Sequence, residues 1–288
     1  MKEPEDLLET ISKLAEPINT AIIKIANATG VIYEPTRVKR KAKAEAMTDL
    51  IRMRTLFGFT KKESQSIMRM NYIKHDNYQG VLNKAIPNFK VSSSTFNPNK
   101  VDQDWLRLHF EKSSISSDDE MQHLWAKIIA GEFNCPGSFS RQTLVIVEQL
   151  DKGTAQLFTR FGSCFFKFGG LLSAYYIEND ETERILGISY FDTIQLESLG
   201  LIKKQIKTGF KTLGLISDES VMNYEYFDEE GDIPLQSTKD GDQEFYSLPV
   251  ESILLTRTGR ELGEICGATK NLEYLNYVKK RWEKQPKG

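Results

Sequence analysis

Three cysteines (Cys135, Cys164, Cys266) and three histidines (His75, His109, His123) are all that 288 residues supply of the softer metal ligands, and they are scattered. That scarcity excludes a disulfide framework or a clustered metal centre from the expectation and fits a reducing cytoplasm. No stretch of about 18 consecutive apolar residues occurs, so no membrane-spanning helix and no membrane partner are expected. The opening Met1-Lys2-Glu3-Pro4-Glu5-Asp6 is acidic, unlike the positively charged start of a secretion signal, and the expected location is the cytoplasm. An excess of one charge is missing as well: 38 Lys+Arg face 40 Asp+Glu, a net of −2. Closely spaced glycines ahead of a helix, as in dinucleotide- and triphosphate-binding loops, are absent, and no cofactor is expected.

What is present is patterned. At 40% apolar residues and about 150 residues per domain, the chain is long enough for about two domains with a real core. Leu7, Ile11, Leu14, Ile18, Ala21, Ile25, Ala28 and Ile32 recur at alternating spacings of four and three, the rhythm of a helix with one adhesive stripe. Pro17 falls inside the series and predicts either two short helices or one kinked helix. Leu7, Ile11, Leu14, Ile18 and Ile25 are the candidate oligomerisation residues.

Charge is laid out in blocks. Between Arg37 and Lys62 nine Lys/Arg stand against Glu45 and Asp49, a local charge of +7. Arg37, Lys39, Arg40, Lys41 and Lys43 make nucleic acid a candidate partner, since clustered cations attract phosphate at long range. Between Asp218 and Glu244 ten carboxylates stand against Lys239, a local charge of −9 that would repel phosphate. The part around Asp228-Glu229-Glu230-Gly231-Asp232 lacks the ligand spacing of an EF-hand and reads as a solvated loop.

Helical spacing continues over 60–86 until Pro87, and the Ser/Asn/Pro-rich stretch 88–100 marks a boundary. Ser117-Asp118-Asp119-Glu120 reads as a capping box for a helix to Ala130, with Gly131 as its stop. A helix over 143–150 follows, then one capped by Asp151 whose inward face includes Phe158, Phe161, Phe165 and Phe166. Gly169-Gly170 is a break before a strand-like run from Leu171. Farther on, a helix within 187–199, a strand at 201–204, the acidic excursion, a strand at 252–255 and a helix after Thr256 follow the order of a winged-helix module.

Three passages together resemble a known family: Leu124-Trp125-Ala126-Lys127-Ile128-Ile129-Ala130-Gly131-Glu132 running into Pro136-Gly137-Ser138-Phe139-Ser140-Arg141-Gln142-Thr143-Leu144; Tyr33-Glu34-Pro35-Thr36-Arg37 with Arg40 to Ala46; and Leu255-Thr256-Arg257-Thr258-Gly259-Arg260-Glu261-Leu262. They are similar to a bacterial family known as domain of unknown function 2806, over about residues 17 to 265. The resemblance implies a bacterial, cytoplasmic setting with host defence against phage as its context, and it brings no reaction, cofactor or catalytic residue. Physically, Trp125 is a core anchor, while Gly131 with Pro136-Gly137 sets the angle between two helices. Glu132, Ser138, Ser140 and Arg141 could line a shared surface, with nothing adjacent to activate a nucleophile.

Among catalytic candidates, His109 and His123 sit on helices as packed or surface histidines. Arg69 and His75, with five residues between, look like the short motif of HEPN-type ribonucleases, where the pair could polarise a phosphodiester. The helix over Ile188–Glu197 has Asp192 and Glu197 and no Lys or Arg, which argues against DNA contact. Lys279-Lys280-Arg281 with Tyr274, Tyr277 and Trp282 offers base stacking as one reading and a docked terminal helix as the other.

The expected fold is mostly α with a C-terminal α+β winged-helix-like domain, divided into a helical arm (1–90), a helical core (91–170) and the α+β domain (171–288). The expected function is that of a non-enzymatic oligomeric assembly protein, partnered with itself and another protein. A nucleic-acid-binding regulator and a HEPN-like ribonuclease are the alternatives.

Overall fold

The computed structural model of the chain describes residues 4–31, 33, 60–204, 215–217, 220–240, 243–248 and 253–283. The fold is mostly helical, with antiparallel strands in its C-terminal half, and it divides into two compact units, 1–148 and 149–288. The boundaries drawn at 90 and 170 fall inside these units.

In the first unit the heptad stripe forms one helix, α1 (Pro4–Thr29), with Pro17 inside it and no break into two. Its C-terminal half is covered within the chain. Ala21, Ile25, Ala28 and Val31 are buried where α1 lies along α3 (Gln103–Ser113) and the short turn Pro98–Lys100. Lys24 donates to the Asn99 carbonyl at 2.6 Å and Arg107 Nε to the Ala28 carbonyl at 3.3 Å, so the helix is pinned by polar contacts as well.

Helix α2 (Lys61–Ala85) starts at a capping box that periodicity alone did not reveal. Thr60 Oγ1 accepts from Glu63 N, and the Glu63 carboxylate accepts from Thr60 N. Tyr78, Val81, Leu82 and Ala85 are buried toward its end, where α2 packs on α4 (Asp119–Asn134). Gly80 permits that approach, since a Cβ there would stand 2.6 Å from Gln122 Oε1. The α4 cap is Asp118, which accepts from Met121 N, one residue beyond the Ser117 expected. Nor does α4 stop at Gly131; it runs through Asn134, because Gly131 serves packing rather than termination. Helix α5 (Arg141–Gln149) follows.

The middle of this unit is aromatic. Trp105 stacks on His109 (5.4 Å between centroids, 17°), and His109 meets Trp125 edge-on at 5.4 Å. His109 is fully buried, with Nε2 3.1 Å from the Trp125 carbonyl, so this nitrogen carries the proton of a neutral ring. Its Nδ1, the Tyr78 hydroxyl and the Ser113 hydroxyl have no hydrogen-bond partner among the described residues.

In the second unit α6 (Lys152–Phe161), capped by Asp151, ends before the phenylalanine run. Phe165 and Phe166, expected on that helix, instead open strand β1 (Phe165–Phe168), where alternation sends them to opposite faces. Gly169 (φ +56°) and Gly170 (φ +79°) turn the chain into β2 (Leu171–Ala174), the two-residue hairpin that glycine pairs favour. After α7 (Asp180–Leu186), α8 (Tyr190–Ser198), β3 (Ile202–Lys204) and β4 (Leu215–Ser217) comes the acidic excursion. The part from Asp228 to Asp232, expected as a solvated loop, lies in a β-hairpin. Strands β5 (Val221–Tyr226) and β6 (Glu229–Pro234) form a hairpin that joins β1 and β2 in the sheet order β2-β1-β5-β6. Strands β7 (Gln236–Asp240) and β8 (Gln243–Leu248) pair beside β4, and β9 (Ile253–Leu255) pairs with β3. Helices α9 (Arg257–Gly263) and α10 (Leu272–Glu283) close the described chain.

One face of the four-stranded sheet carries the core of this unit. Phe166 lies 4.4 Å from Tyr226 between centroids and packs edge-on against Tyr175, Tyr224 and Trp282. Tyr226 Oη donates to the Ser163 carbonyl at 2.7 Å and accepts from Asn271 N at 2.9 Å, and burial pushes the phenol up to about 12. Tyr274 and Trp282 are buried here, so α10 is a docked terminal helix and neither ring is presented to a base.

Burial holds His109 down at about 4, against 6.5 when exposed. The unfolded chain takes up this proton first as pH falls, so stability is full above 6.5 and declines until pH reaches about 4. Over that window the loss is about 3 kcal/mol at about 1.4 kcal/mol per unit. Urea titrations of the wild type and His109→Phe across this range are expected to differ in pH slope by that amount; parallel curves would remove the assignment.

Candidate functional site

The residues of the most specific sequence passage converge on one joint between α4 and α5. Glu132 is buried, and its carboxylate accepts from Gly137 N (2.7 Å) through Oε1 and from Phe139 N (3.1 Å) through Oε2. Each oxygen thus satisfies a backbone donor of the connecting turn. Pro136 enters that turn, and Gly137 takes φ +92°, a region that disfavours side chains. Ser138 Oγ closes it by donating to the Cys135 carbonyl at 2.6 Å, while Ser140 Oγ accepts from Thr143 N at the start of α5. The fit is tight at Gly131, where a Cβ would come within 2.5 Å of the Phe139 ring.

The joint also ties in α3. Trp105 Nε1 donates to the Phe139 carbonyl at 2.8 Å. Arg141 donates to Asp102 at 2.7 Å, and the same Asp102 oxygen caps α3 through Trp105 N. The Arg141 hydrogen bond, before the backbone one, holds the Asp102 carboxyl below its ordinary range. Trp125, 1% exposed, packs beneath as the expected anchor. This cluster is a structural joint; none of its groups forms a nucleophile–base pair.

Among the described residues, the other sequence candidates are not gathered into one place. Arg69 is exposed and His75 half-buried on α2, six residues apart and so turned about 120° from each other around the helix. His123 is exposed, with Nδ1 2.8 Å from the Asp119 carbonyl. Arg37, Lys39, Arg40, Lys41 and Lys43 lie outside the described residues. Leu7, Ile11 and Leu14 lie on the backbone of α1, Ile18 is half-buried, and Ile25 is covered within the chain.

A surface missed by the sequence reading lies on α8. Its start is set by Ser189, whose hydroxyl accepts from Asp192 N while Asp192 accepts from Ser189 N. Thr193 and Leu196 face inward and are fully buried. The opposite face presents Tyr190 (54% exposed), Phe191 (78%) and Ile194 (40%). Tyr190 and Phe191 meet edge-on at 5.9 Å, and Lys204 Nζ sits 3.8 Å above the Tyr190 ring while bonding Glu178 at 2.7 Å. The available signal was a Tyr-Phe pair just after a capping serine, positions that point away from a core built on Thr193 and Leu196.

A two-unit, mostly helical protein with a joint built for shape and an exposed aromatic helix face is the class these features define. The chain belongs to the family described as Protein of unknown function (DUF2806), whose model matches residues 62–279. The passage at Tyr33 to Ala46 lies outside that match, while the Trp125 and Thr256 passages lie within it. No curated protein and no solved structure matches the chain.

Replacing Glu132 by Ala leaves the Phe139 and Gly137 N–H groups without their acceptor and is expected to cost about 3 kcal/mol in urea unfolding. Ser138→Ala, at a half-exposed position, costs less than about 1 kcal/mol. Equal small losses at both positions would contradict the joint.

Proposed function

We propose that this protein is a non-enzymatic assembly protein that associates with itself, and that its second unit is a winged-helix-like module used to dock protein rather than DNA. The winged-helix reading is supported by element order and pairing. Helix α6, strand β2, helices α7 and α8, and strands β3 and β9 follow in sequence, with β3 hydrogen-bonded to β9 and β2 alongside it. In such modules the helix at the α8 position reads the major groove, which calls for cations.

The observation that carries the docking reading is the outer face of α8. Tyr190, Phe191 and Ile194 expose apolar surface, and no Lys or Arg belongs to the helix. The helix itself carries Asp192 and Glu197. An apolar patch whose neighbouring cation, Lys204, is already paired with Glu178 suits a protein partner. A second copy of this chain supplies matching chemistry: the +7 block at Arg37–Lys62 complements acidic surface on its neighbour. The setting we infer, from the family resemblance alone, is the bacterial cytoplasm and defence against phage.

Size-exclusion chromatography with light scattering tests this. The full chain is expected to run as an oligomer free of nucleic acid, with Phe191→Glu shifting it to a folded monomer and Leu7→Ser with Leu14→Ser, made separately in the wild-type background, weakening the oligomer. A wild-type monomer would sink self-association. Co-eluting nucleic acid lost on joint Lys39→Glu, Arg40→Glu, Lys41→Glu and Lys43→Glu substitution would favour the regulator reading, and RNA cleavage lost in His75→Ala the ribonuclease reading.

A further inference from the structure

The second face of the sheet β2-β1-β5-β6, opposite the aromatic core, is built differently. Across it runs one register row, Leu172, Lys167, Glu225, Glu230, each paired with the next through the strand ladder. Two carboxylates therefore stand directly opposite each other on neighbouring strands, an arrangement that destabilises a sheet unless a cation offsets it. Lys167 is the cation nearest in the row, and it is engaged elsewhere: its Nζ lies 3.0 Å from Glu264 of α9. Glu225 and Glu230 have no ion-pair partner among the described residues, in contrast to Asp228 and Glu229, which Lys270 holds at 2.6 and 3.2 Å.

Above this row is a cavity of about 320 Å³. Phe165, Lys167, Glu225, Phe227 and Glu264 line it, with Gly263 in its wall. Phe227 lines the cavity from the turn after β5 and is the one non-glycine residue among those described with a positive φ, +56°. Asp228 beside it has no positive φ, so the hairpin turn has the sign pattern in which glycine normally stands first. A bulky side chain there is strained, and the chain accepts that strain to place an aromatic ring at the cavity mouth. The wall is fixed: a Cβ on Gly263 would stand 2.7 Å from Leu172 and 3.0 Å from Phe165.

We propose that this cavity binds an organic cation, a primary ammonium or guanidinium on a short apolar stem. The stem lies against Phe165 and Leu172, Phe227 contributes ring-face attraction, and the charge meets Glu225, whose neighbour across the ladder, Glu230, adds to the negative field. The volume is at the small end for ligand sites and suits a group the size of an arginine or lysine side chain. No three His, Cys, Asp or Glu side chains among the described residues converge to hold a metal ion. The source is either a free diamine or a basic side chain of another protein.

Isothermal titration of the full chain with agmatine and with N-acetyl-arginine amide distinguishes the two sources, with N-acetyl-citrulline amide as the neutral isostere. At least one cationic probe is expected to bind and the citrulline compound not to. Tighter agmatine binding identifies a free amine, and tighter N-acetyl-arginine amide binding a side chain. Joint Glu225→Gln and Glu230→Gln substitution lowers affinity about tenfold, and Lys167→Met, which removes the competing ammonium, raises it several-fold. Phe227→Gly weakens binding while the melting temperature holds or rises, because the turn strain is relieved. Circular dichroism melts confirm that each variant is folded. The proposal is overturned if neither cation binds at about 10 mM, if the citrulline compound binds equally well, or if the double glutamine variant binds like the wild type.

Discussion

The first unit depends on one buried carboxylate. Glu132 sits at the end of α4 and holds the turn into α5 by both oxygens, and that turn places Phe139 where its carbonyl receives the Trp105 indole. Trp105 in turn stacks on His109, which reaches the Trp125 carbonyl on α4. Three helices are thereby fixed around a closed circuit of hydrogen bonds and ring contacts. A polar group buried in such a place is tolerated when its acceptors are filled, and the backbone supplies two donors.

The second unit distributes its sheet differently between two faces. One face gathers Phe166, Phe168, Tyr224 and Tyr226 under Trp282 and Tyr175, and the buried hydroxyl of Tyr226 is paired on both sides. The other face carries Lys167 and the facing glutamates. Strand alternation produces this division directly from the sequences Phe-Phe-Lys-Phe and Val-Met-Asn-Tyr-Glu-Tyr. Stability and surface chemistry are thus assigned to alternate residues of the same strands.

Much of the helical half was legible from local signals. Periodicity located α1, α2 and α4, Asp151 capped the helix it was expected to cap, and the passage around Trp125 marked the joint. What escaped was decided by contacts between distant residues. Gly131 looks like a helix stop, yet it is a contact point for Phe139, eight residues on. Phe165 and Phe166 continue a helical apolar pattern by composition, and only pairing with β2 and β5 makes them strand. The part around Asp228 to Asp232 looked like a solvated loop because net charge masked the alternation of Tyr224, Glu225 and Tyr226 that leads into it. The α8 surface was read for the cations it lacks, and its aromatic residues went unremarked because exposure is a property of the packed unit.

The positions of the three tryptophans have an optical consequence. Trp105 and Trp125 lie in the first unit, on either side of a histidine ring, and Trp282 lies in the second among tyrosines. Indole emission is sensitive to neighbouring rings and to entry of water, so each unit carries its own intrinsic reporter. Trp282→Phe confines the signal to the first unit, and the paired substitution Trp105→Phe with Trp125→Phe confines it to the second. The melting of one half can then be followed against a silent other half, without attaching any dye.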